Sequence, residues 1–89
     1  MEPFTKALKT IAGVMRDGAA THPDKEWVRR SVEYHVARAE AHLQMLRDGE
    51  QLEDHLAHAA TRLLMALALR ELGLRGRAPT SPGMAAVGR

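Results

Sequence analysis

Gly49 separates two stretches whose apolar residues recur at intervals of three and four. That period is the signature of an amphipathic α-helix. A glycine between two such stretches is a helix stop that leaves room for a reversal. The expectation is a long antiparallel helical hairpin. Residues 25–47 read as its first arm, with Val28, Val32, His35, Val36, Ala39, Leu43 and Leu46 as the buried stripe. Trp27, Ser31, Tyr34 and Arg38 fall on the neighbouring strip, and Arg29 and Glu33 have the spacing of an i,i+4 ion pair. Residues 51–72 read as the second arm, with Leu52, Leu56, Ala60, Leu63, Leu64 and Leu67 as its main stripe and Gly73 as its cap. Met65, Ala66, Ala68 and Leu69 carry apolar character round the cylinder. A helix apolar on more than one side needs more than one neighbour. The sequence therefore predicts that the 51–72 helix also meets another subunit, in a dimer or tetramer.

Upstream, the spacing predicts a short helix over 4–17. Phe4, Leu8, Ile11, Ala12 and Met15 form its face, Lys9 and Val14 fall off it, and Gly18 ends it. Residues 18–24 read as a loop, with Asp24 as the N-cap of the next helix. Residues 74–89 carry glycine, proline and serine without period and read as a flexible tail, so the chain divides into a helical domain, 1–73, and a tail, 74–89. The fold class expected is all-α: a short helix plus a long antiparallel hairpin, completing an oligomeric helical bundle.

Composition narrows the function. The net charge of +2 comes from Arg75, Arg77 and Arg89 in the tail, which leaves residues 1–73 at −1. No basic stripe or set of stacking aromatics suits nucleic acid, with one Trp, one Tyr and one Phe in 89 residues. There is no cysteine, so no thiolate metal site and no disulfide. Neither a leader nor an apolar run of membrane-spanning length is visible, and the expectation is a soluble, cytoplasmic protein with no membrane association.

Chemistry-bearing residues concentrate at Gly49–Ala60. Glu50, Glu53 and Asp54 are spaced three and four apart, as carboxylates on one helix face would be, and are the candidate ligands for Mg²⁺ or Mn²⁺. Acids in a first helical turn also simply favour the helix dipole. His55 and His58 share a face. Imidazoles ligate softer metals or, when protonated, bind phosphate, and three-apart histidines also occur on ordinary alanine-rich helices. His35, Arg38 and His42 line one strip of the preceding helix. The turn at Gly49 would bring His35 or His42 to face His55 and His58, a convergence of four histidines; the other reading of His35, inside the apolar stripe, is a core histidine needing a hydrogen-bond partner. Trp27 either packs near Phe4 or Ile11 or stacks on a base. Glu33 and Glu40 read as solvated, and Arg70 and the tail arginines are weak phosphate candidates.

Three patches carry a family resemblance. The first is Gly18-Ala19-Ala20-Thr21-His22-Pro23-Asp24-Lys25-Glu26-Trp27, the second His42-Leu43 followed by Gly49-Glu50, and the third His55-Leu56-Ala57-His58-Ala59-Ala60. In kind and order they resemble the phage dATP/dGTP diphosphohydrolases, the MazZ-like group within the all-α MazG-like nucleotide pyrophosphohydrolases. The chain departs from that pattern in a shorter acidic loop, Gln51–Asp54, in Ala41 where the family has arginine, in Thr21-His22 where it has a Lys-Tyr pair, and in Glu26 where it has asparagine. The resemblance implies hydrolysis of a (d)NTP to (d)NMP and pyrophosphate with a divalent metal. Under it, Glu50, Glu53 and Asp54 hold Mg²⁺ or Mn²⁺, His55 and His58 are catalytic, and Trp27, Arg38 and His42 contact the nucleotide. The alternative is a non-catalytic helical oligomer that binds a nucleotide or a protein, such as an inhibitor of a host system.

Overall fold

The computed structural model describes residues 1–21 and 26–73. They form α1 (Glu2–Thr21), a 3₁₀ turn (Glu26–Arg29), α2 (Val32–Arg47) and α3 (His55–Glu71). The described residues are helical or irregular, with no strand, as the periodicity requires. α2 and α3 make the hairpin, and α1 packs on α3 rather than on α2. No described helix is long and apolar enough to cross a membrane. The expected tail, 74–89, lies outside the described residues.

The element ends differ from the sequence reading for local reasons. α1 does not stop at Gly18 but continues to Thr21. One glycine costs a helix about 1 kcal/mol, and the alanines that follow carry it on. Asp24 lies outside the described residues, and the cap of α2 is Ser31. Its backbone is extended (φ −79°, ψ 163°) and its hydroxyl accepts from the Tyr34 N–H at 3.0 Å. A serine offered to a free helical N–H competes with helix continuation. Residues 25–47 are consequently a 3₁₀ turn and a shorter helix, not one rod. The break dissolves the expected Arg29–Glu33 spacing; Arg30 pairs with Glu26 instead, at 3.2 Å. Likewise α3 starts at His55, not at 51, because Asp54 caps it by accepting from the Ala57 N–H at 3.1 Å.

The buried face of α3 also differs from the one expected. His55, Ala59, Ala66 and Leu69 are buried, and against them lie His35, Ala39 and His42 of α2. Alanines let the two backbones approach closely, and the histidines fill the remaining width. Leu56, Leu63, Leu64 and Leu67, the expected main stripe, stay exposed within the chain, and Leu52, in the connecting loop, is 92 % exposed. The sequence showed two apolar faces on one cylinder, and hydrogen-bonding residues decide which one turns inward. On α1 the half-buried residues are Ile11, Gly13, Val14, Met15 and Gly18, so Val14 joins the packing face, while Ala12, Phe4 and Leu8, expected on it, are exposed.

Candidate functional site

The site begins with the turn. Gly49 takes φ +84°, a backbone state that L side chains rarely adopt. It lets α2 close in a Schellman motif: the Glu50 N–H donates to the Met45 carbonyl at 3.0 Å and the Gly49 N–H to that of Leu46 at 3.1 Å. This fixes the direction in which Glu50 leaves the helix. One Glu50 oxygen accepts from the Leu52 N–H at 2.6 Å, and the other accepts from Nε2 of His55. Those two bonds, the His55 one first, hold the Glu50 carboxyl below its ordinary range.

With its Nε2–H committed to Glu50, His55 presents a lone pair at Nδ1. That atom lies 2.9 Å from Nδ1 of His42, whose N–H donates to it. Both rings are buried, at 5 % and 2 % exposure. Burial, followed by the charges of His58 and Arg38, pushes the His42 imidazole below its ordinary 6.5 and favours its neutral form. His58 stacks on His42 with ring centroids 5.0 Å apart, and its Nε2 lies 3.9 Å from Glu53. Glu53, His42 and His55 each offer a ligand atom within 4.8 Å of the others.

Turn and hairpin together bring His42, His55 and His58 to one place, with Glu50 and Glu53. Among the three acids the geometry separates the roles. Asp54 is the helix cap, Glu50 is bonded to His55, and Glu53 alone belongs to the metal-sized group. The helical spacing from which the trio was read is absent, because residues 50–54 are loop.

Next to this group opens a cleft of about 790 Å³ between α1, the 3₁₀ turn and the hairpin. His42, Glu53 and His58 line it together with Trp27, Tyr34, Arg30, Arg38 and Arg62. Arg30 sits over the Tyr34 ring at 4.6 Å and Arg62 at 5.6 Å. Trp27 meets His35 edge-on, with centroids 6.4 Å apart, while Phe4 is exposed. Trp27 and Arg38 thus share a cleft wall with His42. Glu33 and Glu40 are exposed, and Arg70 pairs with Glu71 at 2.9 Å.

His35 is the other buried histidine of the seam. Its Nε2–H donates to the Trp27 carbonyl at 2.8 Å, and its Nδ1 accepts from Arg62 at 3.1 Å. Burial pushes its pKa below 6.5, with Arg62 and Arg30 adding to the effect. Both ring nitrogens are satisfied, the arrangement a core histidine requires. Arg62 and Tyr34 escaped the sequence reading as site residues. The available signal was an arginine within the leucine run, one turn after His58 and two after His55.

A family model described as "dATP/dGTP diphosphohydrolase, N-terminal" matches residues 3–75. No curated protein and no solved structure matches the chain.

Proposed function

The chain belongs to the dATP/dGTP diphosphohydrolase family, and from that premise we propose that it hydrolyses a (d)NTP between the α- and β-phosphates. The observation that carries the reading is the continuity of the cleft. Three guanidiniums and an indole line the same cleft as His42, His58 and Glu53, and His55 lies against His42. Arginine is suited to phosphate because its planar fork makes paired hydrogen bonds. The cleft volume falls within the range of small-molecule sites, roughly 300–1,000 Å³.

In this reading Arg38 and Arg62 hold the phosphates and Trp27 stacks on the base. His42, His55 and Glu53 would hold the divalent ion that the family's chemistry implies, and their nitrogen and carboxylate donors fit such an ion. Bound there, it would polarise the phosphate and acidify water. His58, alongside Glu53, takes the proton of the attacking water. The water oxygen forms a bond to the α-phosphorus as the bond to the α–β bridging oxygen breaks. Pyrophosphate leaves with that bridging oxygen, and the monophosphate remains. Partial burial of Arg62 keeps its charge close to the phosphates in a poorly screened wall.

The exposed row Leu56, Leu63, Leu64 and Leu67 supports the homo-oligomer reading. A leucine row at helical spacing is self-complementary across a two-fold axis, so a second copy is the proposed occupant. Light scattering coupled to size exclusion checks this: a dimer or tetramer supports it, and a monomer at working concentration rejects it.

The activity test is a chromatographic assay of dATP, dGTP, dCTP and dTTP with Mg²⁺, Mn²⁺ or Zn²⁺. Monophosphate and pyrophosphate in equal amounts support the proposal. A folded chain that binds nucleotide without turnover would move the reading to a binding module.

A further inference from the structure

We propose that His42, His55 and Glu53 form a two-histidine, one-carboxylate site for a first-row transition-metal ion of the zinc class, with Glu50 as its outer carboxylate. The assignment deepens the nucleotide reading and rests on it for the ion's role in hydrolysis. Ion binding itself is measured without nucleotide.

Donor chemistry selects the ion. The sequence pointed to three acids, an all-oxygen set that suits Mg²⁺. The geometry instead gathers two imidazole nitrogens and one carboxylate. Imidazole favours zinc, nickel, cobalt and copper over magnesium, and affinities rise along the first-row series towards copper. The two Nδ1 atoms are 2.9 Å apart. Two nitrogens about 2.0–2.1 Å from a tetrahedral centre lie roughly 3.3 Å apart, so the pair needs little opening to hold an ion. Glu53 is the adjustable ligand: its side chain is 55 % exposed, whereas the two histidines are fixed by burial.

The surroundings complete the pattern. A ligating histidine usually donates its other ring N–H to a carboxylate, which fixes the tautomer and raises the basicity of the ligating nitrogen. Glu50 does this for His55, and the Schellman turn at Gly49 holds Glu50 in position. The cleft borders the group on the side of His42 and Glu53. Three protein ligands beside an open cleft leave a position for water or a phosphate oxygen, the arrangement of a catalytic rather than a structural zinc site. With no cysteine in the chain, no thiolate competes for the ion.

The test uses the full chain stripped with a chelator and titrated with Zn²⁺ by calorimetry and with Co²⁺ by visible absorption. The expected result is one ion per chain, cobalt bands of a low-coordinate site, and no displacement by millimolar Mg²⁺. Glu50→Gln should weaken binding about 10–100-fold. His42→Ala and His55→Ala should abolish the cobalt bands, with circular dichroism reporting whether each still folds. Glu53→Gln, at an exposed position, keeps the test decisive if the histidine variants unfold: it too should weaken binding at least tenfold. Zinc binding unchanged in Glu53→Gln and Glu50→Gln, ready displacement by Mg²⁺, or no binding at all would overturn the assignment. Hydrolysis supported by Mg²⁺ in a chain that binds no Zn²⁺ would overturn it while leaving the nucleotide reading intact. Zinc binding without turnover would do the reverse.

Discussion

His35 and His42 stand two turns apart on the same face of α2, both buried in the same seam, yet they are different kinds of histidine. His35 has two unlike partners, a carbonyl that must accept and a guanidinium that must donate. Its tautomer is fixed and nothing remains for a ligand. His42 faces another imidazole. Either ring of that pair could carry the bridging proton, and it is the bond from Glu50 to His55 that breaks the symmetry. A buried histidine with two hetero partners is architecture. A buried histidine whose partner is a second, carboxylate-oriented histidine has donors that a cation can take over.

The predictions separate the two stations, beginning with the largest effect. His58→Ala, at the cleft end of the ligating station, should lower the rate of hydrolysis on the order of 10²–10⁴-fold, the usual contribution of a general base. A chromatographic turnover assay measures it, and since His58 is only partly buried the thermal midpoint should move little. His35→Ala should do the opposite. It leaves the Trp27 carbonyl and Arg62 without their partner and opens a cavity, at a cost of about 3 kcal/mol. Urea unfolding measures this, while zinc affinity stays within twofold of wild type. Equal losses of metal binding in the His35 and His42 variants would erase the distinction.

Arg62 spans the two stations, bonded to His35 and lining the cleft. Arg62→Lys keeps the charge but loses the planar fork, so KM for nucleotide should rise about tenfold with a smaller change in kcat. The pH dependence of stability reports His35 and His42 together. Both have folded pKa values below 6.5, so between those values and 6.5 the unfolded chain binds more protons than the folded one. Stability is full above about pH 7 and declines as pH falls through 6.5 towards the folded pKa values, by at most about 1.4 kcal/mol per pH unit for each histidine. Unfolding curves from pH 7.5 to 5 should show this slope, and His35→Gln should remove the His35 share while leaving that of His42. The smallest effect is at the turn: Gly49→Ala places a Cβ at φ +84° and should cost about 1 kcal/mol, read as a lower thermal midpoint.

The same pair explains what could be read from the sequence. The hairpin, its glycine turn and the meeting of His42 with His55 and His58 follow from period and spacing alone. The need of His35 for a partner follows from its place in the stripe. Its partners do not, since Arg62 reaches it across the hairpin and Trp27 through a backbone carbonyl. Helix starts were hidden because Ser31 and Asp54 act through their own side chains against an otherwise helical pattern. That hid the division of the acids as well, with Asp54 a cap and Glu50 and Glu53 in a loop. The inward face of α3 was misread because its leucines are larger and more apolar than the His-Ala-Ala-Leu row that packs. Volume and hydrophobicity argued for one face, hydrogen bonds and close approach for the other.

The most direct test of this contrast is the imidazole ¹⁵N spectrum of the chain with and without one equivalent of Zn²⁺. The account predicts that the ring nitrogens of His42 and His55 move to metal-bound positions while those of His35 keep the Nε2–H tautomer unchanged. Movement of His35, or no movement of either member of the His42–His55 pair, would contradict it.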